Sequence, residues 1–326
     1  TCTSFSCGCA AGSCPALPEF NTTNVTAAML GVAAANQPST VNYQRGIDVN
    51  DEDIDGNNST EMRPSAHGDV VHSRPVAINY GTDASPEVIV FYSANDGVLR
   101  AINGNRSSAI GTYAAGNELW SFVPYEFMGH VNRLRNNTVP INYQGSTTAG
   151  ALPKPYGLDG SITAYVNGTT RWIFATARRG GRTLYAFDVS AMDAATPSAS
   201  LKWKIGCSNM DLTSGADGCV SPVAGQNFSR LAQTWSAPQV FTVGGYSSGG
   251  IKKPLLMMGG GYDPCEDADP ITTTCRDSSK GDVVYVIDAD TGSKLLELPT
   301  DRGVAADVLI VPDTTTGLAK YAYAVD

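Results

Sequence analysis

Three stretches of this chain repeat one rhythm: an apolar run, a short turn bearing glycine, and a second apolar run. They are VIVFYSANDGVLRAIN at 88–103, WIFATARRGGRTLYAFDVS at 172–190, and LLMMGGGYDP from 255, which resumes after an insertion as KGDVVYVIDADTG ending at 292. Within each run apolar residues recur at every second position, the period of a strand with one face on a core. Each turn carries Gly or Asn-Asp-Gly where the backbone needs a positive φ. A third strand follows each hairpin, with Trp in ELWSFVP and LKWKIG and without it in KLLELP. A strand-rich unit recurring with an aromatic at a fixed place is the mark of a β-propeller blade.

The repeats begin at residues 88, 172 and 255. That spacing is roughly twice a compact blade, so either degenerate blades or long loops fill the intervals. The closing KYAYAVD reads as the first strand of a further hairpin cut before its turn. The expected fold is therefore all-β, a quinoprotein-like β-propeller, incomplete or with degenerate blades. Its expected parts are a Cys-rich lead-in with a short helix (1–45), an acidic loop (46–66) and the propeller (67–326). In the lead-in, TTNVTAAMLGVAAANQ predicts an Ala-rich helix capped by Thr22 or Asn24 and ending near Gln37-Pro38.

A chain of 326 residues with 42% hydrophobic and 16% charged positions can bury a large core. Its formal net charge of −9 and the lack of any basic run argue against nucleic acid as a partner. No apolar stretch is long enough to span a bilayer. The opening TCTSFSCGCAAGSC has neither the basic nor the apolar region of a signal peptide, as expected of a processed product or a fragment. Eight cysteines point to disulfides and an oxidising compartment. Cys207 with Cys219 and Cys265 with Cys275 are spaced to close short loops. Cys2, Cys7, Cys9 and Cys14 fit disulfides of undetermined pairing, or a zinc site lacking the usual C-x2-C knuckle.

The candidate metal site lies in DVNDEDIDGNNSTE, residues 48–61. Asp51, Asp53 and Asp55 followed by Gly56 fit D-x-D-x-D-G, a spacing that aims alternate carboxylates of a tight turn at one hard cation, with calcium the expected ion. Asn57, Ser59 and Glu61 extend the set, although the twelfth position, where a bidentate Glu belongs, is Met62. A solvated acidic loop is the plain alternative. His67 and His72, five apart in an assumed β segment, would point to opposite faces and play structural parts. Asp69 would bond a turn backbone, and His130 has no evident partner. Arg178 and Arg179 beside Gly180 and Gly181 read as an exposed hairpin tip. Trp120, Trp172, Trp203 and Trp235 read as packing within blades. Sequons such as those at Asn21, Asn105 and Asn227 read as polar surface.

The run RGIDV, MRPSAHGDVVHSRPVAINYG, VIVFYSANDGVLRAIN, ELWSFVP, LAQTWSAPQV, GGGYDPCEDAD and GDVVYVIDADTGSKLLEL resembles the C-terminal propeller domain of the PilY/PilC family of type IV pilus tip proteins, over roughly residues 40–326. The specific element is Gly68–Pro75, GDVVHSRP, followed about 20 residues later by Ala94–Gly97, ANDG. The resemblance implies a bacterial protein at the pilus tip or outer cell surface that binds calcium, assists pilus extension and takes pilin or minor-pilin subunits, or a host or abiotic surface, as partner. It also implies an acidic loop near the C-terminus, where VPDTTTGLAKYAYAVD keeps only Asp313 and Asp326 around Gly317. Two alternatives remain open: a pyrroloquinoline-quinone dehydrogenase, whose blades share the Asp-x-x-Thr-Gly turn, and a structural subunit of a surface filament.

Overall fold

The computed structural model describes residue 14 and residues 16–142, 147–207, 219–264 and 280–326. Alternating apolar residues set the strands, and most of the strands gather into three antiparallel sheets and a final hairpin, with two-residue pairings at Ser247–Ser248 with Ile251–Lys252 and at Ile141–Asn142 with Leu152–Pro153 besides. The first sheet runs Val76–Asn79, Val88–Ser93, Leu99–Asn103 and Glu118–Phe122, in sequence order. The second runs Ile162–Asn167, Thr170–Thr176, Arg182–Asp188, Ser200–Cys207 and Cys219–Val220. The third holds Gln239–Phe241, Leu255–Gly259, Val283–Asp288 and Lys294–Pro299. Leu309–Pro312 and Ala319–Tyr323 pair as the hairpin that follows.

The sheets stack face to face like propeller blades. Ile89, Phe91, Leu99 and Phe122 of the first sheet share a core with Ile173, Tyr185 and Phe187 of the second. The alternate residues of those second-sheet strands, Phe174, Leu184 and Ala186, join Trp203 in a core with Leu256, Met258, Tyr285 and Ile287 of the third. A sheet covered on both sides buries every position of a strand, which is why Arg171 to Thr176 are all buried while Val88–Ser93, in the first sheet, alternates.

The long intervals between repeats are loops. Two short helices, Tyr125–Met128 and Val131–Asn136, and a two-residue parallel pairing of Ile141–Asn142 with Leu152–Pro153 fill the first interval. Among the described residues, that two-stranded pairing is the extra sheet found there, and it is too short to make a blade. Phe127, Met128 and Val131 of this insertion pack with Val25, Leu30 and Val41 of the N-terminal segment in a third apolar cluster.

The N-terminal helix differs from its sequence reading. Thr26 caps a single turn, Ala27–Leu30, which Gly31 ends in the left-handed region at φ 63. The second helix, Gln37–Gln44, begins at the Gln37-Pro38 pair that the sequence marked as an end. Proline at the first helical turn lacks only an N–H that would have no partner there anyway. KYAYAVD is likewise not a first strand: Lys320 to Tyr323 belong to the second strand of the last hairpin, with Val311 opposite Tyr321.

Cys207 and Cys219 face each other across the edge of the second sheet and are joined by a disulfide. Cys14 is also disulfide-bonded, and its sulfur lies 3.0 Å from the Lys202 carbonyl oxygen. Cys2, Cys7, Cys9, Cys265 and Cys275 lie outside the described residues.

Candidate metal centre

The acidic loop is closed at its base by an antiparallel bridge between Ile47 and Met62. The Asp48 N–H donates to the Glu61 carbonyl at 3.0 Å, and Arg63 N–H to the Gly46 carbonyl at 2.8 Å. Residues between these anchors turn tightly. Asp51 and Ile54 both adopt positive φ, at 53° and 63°, a region that costs a side chain free energy. Six carboxylates are thus confined between residues 48 and 61.

Two triads result, each offering one oxygen per residue within 4.8 Å of the others. One is Asp51, Asp53 and Asp55, as the D-x-D-x-D spacing predicts; the other is Asp48, Asp53 and Glu61. Asp53 belongs to both. Asp48 is fully buried, and one of its oxygens accepts the Glu52 N–H at 2.8 Å. Its other oxygen, and Oε1 of Glu61, are shielded from water without a hydrogen-bond donor. A buried carboxylate oxygen left without a partner is costly, and a cation would relieve it. Partial burial, followed by the charges of Asp55 and Asp53 and a hydrogen bond with Asp55, raises the Glu61 pKa above the usual carboxylate range.

Asp51 Oδ1 accepts the Gly56 N–H at 3.0 Å and Asp55 Oδ1 the Asn57 N–H at 2.7 Å, while Asn57 Oδ1 accepts from the Thr60 hydroxyl at 2.9 Å. Ser59 is exposed. Asp48 escaped the motif because it precedes the repeating register. Its signal is the bridge itself, since pairing Ile47 with Met62 carries Asp48 next to Glu61. The oxygen-only donor set is that of a hard cation. Calcium accepts six to eight such ligands in flexible geometry, whereas magnesium demands a near-octahedral set and keeps its waters.

Beside the loop, the two halves of the GDVVHSRP and ANDG pattern join into one hydrogen-bonded knot. Gly68 N–H donates to Asp96 Oδ2 at 3.1 Å, Asp69 N–H to Asn95 Oδ1 at 3.0 Å, and Ser93 N–H to Ser73 Oγ at 3.0 Å. Asp69 therefore bonds Asn95, through both side chain and backbone, and not its own turn. A Cβ on Gly68 would lie 2.6 Å from the Asp96 nitrogen, so the knot requires glycine there. Asp96 also holds the buried Arg100 guanidinium at 2.6 Å.

Residues 67–75 form no strand, so the opposite-face argument for the histidines does not apply. They nonetheless take separate partners. His67 Nε2 lies 2.7 Å from the Tyr92 hydroxyl, and His72 Nδ1 lies 2.6 Å from Asp159 Oδ2. Asp159 is buried, and desolvation raises its pKa against the opposing pull of His72. His130 packs against Phe127 at 5.9 Å, and burial followed by the Arg133 charge lowers its pKa.

The remaining carboxylates of interest serve backbone. Asp313 Oδ1 accepts the N–H groups of Thr315 and Thr316, and Asp326 accepts that of Asp301. Asp288 of the DADTG turn accepts Asp290 and Thr291 N–H groups and the Lys253 ammonium at 2.6 Å.

Two sequence readings need correction. Arg178 is not at an exposed tip: it is half-buried, at φ 48, with its guanidinium 4.4 Å from the Trp235 ring centroid. Trp235 is not core packing like Trp172 and Trp203; it is half-buried against Tyr262 and Arg178. The loop before the third sheet covers the Arg178 side of the hairpin tip, while Arg179 is exposed as expected.

No protein-family profile and no curated protein matches the chain. Among solved structures, the Pseudomonas aeruginosa PilY1 C-terminal domain is similar at 22% identity and a TM-score of 0.40, over 73% of this chain and 36% of that one. A quinohemoprotein alcohol dehydrogenase from Comamonas testosteroni shows 14% identity and a TM-score of 0.30, over 78% of this chain and 39% of its own. The quinohemoprotein alcohol dehydrogenase ADHIIG from Pseudomonas putida HK5 shows 12% and 0.29, over 80% and 40%. The chain thus spans well under half the length of each.

Proposed function

We propose that the chain is a calcium-ordered, non-catalytic binding module of a type IV pilus, acting at the pilus tip or outer surface of a bacterium. Its partners would be pilin or minor-pilin subunits, or the surface to which the pilus attaches. The observation that carries the calcium part is the pair of sealed, donorless oxygens of Asp48 and Glu61 facing the exposed Asp53. The pilus part rests on the motif resemblance, whose two halves form the knot beside that loop. The Cys207–Cys219 disulfide supports an oxidising, exported setting. No described helix is long and apolar enough to cross a membrane.

In this reading calcium replaces carboxylate repulsion with coordination and so fixes residues 48–61 against the first sheet. At 10 mM calcium and a Kd on the order of 0.1 mM, typical of extracellular modules, mass action would stabilise the fold by about 2.7 kcal/mol. The test is calorimetric titration of calcium into the intact chain and its Asp53→Ala variant, followed by retention of purified pilin on the immobilised protein with and without calcium. Calcium uptake by wild type and its loss in the variant are expected, with pilin retained only in calcium. Equal heats from both proteins would remove the metal site; no pilin retained in either condition would remove the pilus reading.

A further inference from the structure

A second charged cluster lies where the loops of successive sheets converge, apart from the acidic loop. The turn Arg178–Gly180 joins two strands of the second sheet. It is held by Thr234 from the loop before the third sheet, whose hydroxyl accepts the N–H groups of Ala177 at 2.9 Å and Arg178 at 3.2 Å. Gly180 presses on Gly157 so closely that a Cβ would meet its carbonyl oxygen at 1.5 Å. The turn is therefore fixed on both sides. It holds Arg178 and Arg179 over one indole, at 4.4 and 5.4 Å from the Trp235 centroid, with Arg179 also 5.8 Å from the Tyr156 ring.

The nearby carboxylates are already engaged. Asp159 is bound by His72, and Asp307 by Arg74 at 2.5 Å and by the Ala237 N–H at 2.7 Å. Among the described residues, no acceptor lies within hydrogen-bonding distance of either the Arg178 or the Arg179 guanidinium. Nε of Arg178 is shielded from water and has no partner. Two like charges are thus pinned side by side on a rigid shelf, one with an unmet buried donor, and Arg178 is held in a backbone region that favours glycine. Burial is the largest cause lowering the Arg178 pKa; the charges of Arg179 and Arg74 add to it, and those of Asp159 and Asp307 oppose it without reversing it. Backbone strain over-determined by its surroundings clusters at ligand clamps and active sites, and a buried unmet donor in a native structure calls for an explanation.

We propose that Arg178 and Arg179, fixed on Trp235 and Tyr156, form a receiving site for a carboxylate group of an acidic ligand. The planar guanidinium fork matches a carboxylate with two parallel hydrogen bonds. A carboxylate between the two arginines would accept from their terminal guanidinium N–H groups and cancel the repulsion. Arg179 is exposed, and Lys154, 5.7 Å from the Tyr156 ring, adds a further positive charge beside it. The site uses none of the acidic-loop residues and stands whether or not that loop binds calcium.

The test is calorimetric titration of the intact chain with succinate and, separately, with a hexaglutamate peptide, at low salt, in calcium and in chelator. Binding of both probes, or of the peptide alone, supports the site; the second result assigns it to polypeptide carboxylates. Arg179→Gln, at an exposed position, should keep the wild-type melting temperature and lose at least tenfold in affinity, while Arg179→Lys recovers only part. Trp235→Phe should weaken binding less than Arg179→Gln. Absence of binding by either probe at 10 mM, or equal affinity in wild type and Arg179→Gln, would overturn the proposal.

Discussion

Breaking the buried ion pair between Glu126 and Lys204 should unfold this protein far more readily than any surface change. Lys204, on the second sheet, and Glu126, in the inserted helix after the first sheet, retain 1% and 4% side-chain exposure. Glu126 also accepts the hydroxyl of the fully buried Tyr185 at 2.5 Å. Glu126→Ala strands an ammonium and a phenol in the interior at once. Removing one partner of a buried pair costs about 3–5 kcal/mol, so we expect a loss of about 4 kcal/mol. With a urea slope of about 3 kcal/mol/M for a chain of this size, the unfolding midpoint should fall by roughly 1.3 M. The double variant Glu126→Leu with Lys204→Met removes both charges and should recover most of the loss, because apolar replacement of a buried pair is often neutral or stabilising. Urea unfolding followed by circular dichroism measures all of these. A Glu126→Ala midpoint within about 0.3 M of wild type, or a double variant as unstable as the single one, would refute this account of the pair.

Glu61 gives a pH signature. Its folded pKa is raised, so the folded state holds that proton more tightly and the stability it confers is lost as pH rises through the raised value. Thermal melts in chelator should therefore show wild type losing stability relative to Glu61→Gln as pH rises, a difference that calcium reverses; parallel pH profiles for wild type and Glu61→Gln would contradict it. Gly180→Ala, whose Cβ would strike the Gly157 carbonyl oxygen, should cost about 3 kcal/mol. Gly129→Ala, with open space around it, should be neutral or slightly stabilising, and similar melting temperatures for the two would show that the close approach is not tight. Reducing Cys207–Cys219, which closes a loop of 12 residues, should cost about 3 kcal/mol, read as a lowered urea midpoint for Cys207→Ser with Cys219→Ser.

The strand repeat, its hairpin turns and the acidic loop were written in local order, because strand period, turn glycines and carboxylate spacing act over a few residues. Val88–Ser93 with Leu99–Asn103, and the triad Asp51, Asp53 and Asp55, were legible for that reason. What lies between repeats was not, since a run such as 125–136 has no period tying it to Val25 or Val41, and only shared burial brings them together. Asp48 entered the metal cluster through a bridge between Ile47 and Met62, a contact across the loop that no spacing rule encodes. Arg178 comes from a hairpin within the second sheet, Trp235 from the loop before the third sheet and Asp307 from the segment after it, and they meet because stacked sheets align their ends. Local chemistry thus determined which pieces form, and packing of one sheet on the next decided which charges become neighbours, since burial and Coulomb interaction depend on distance in space and not along the chain.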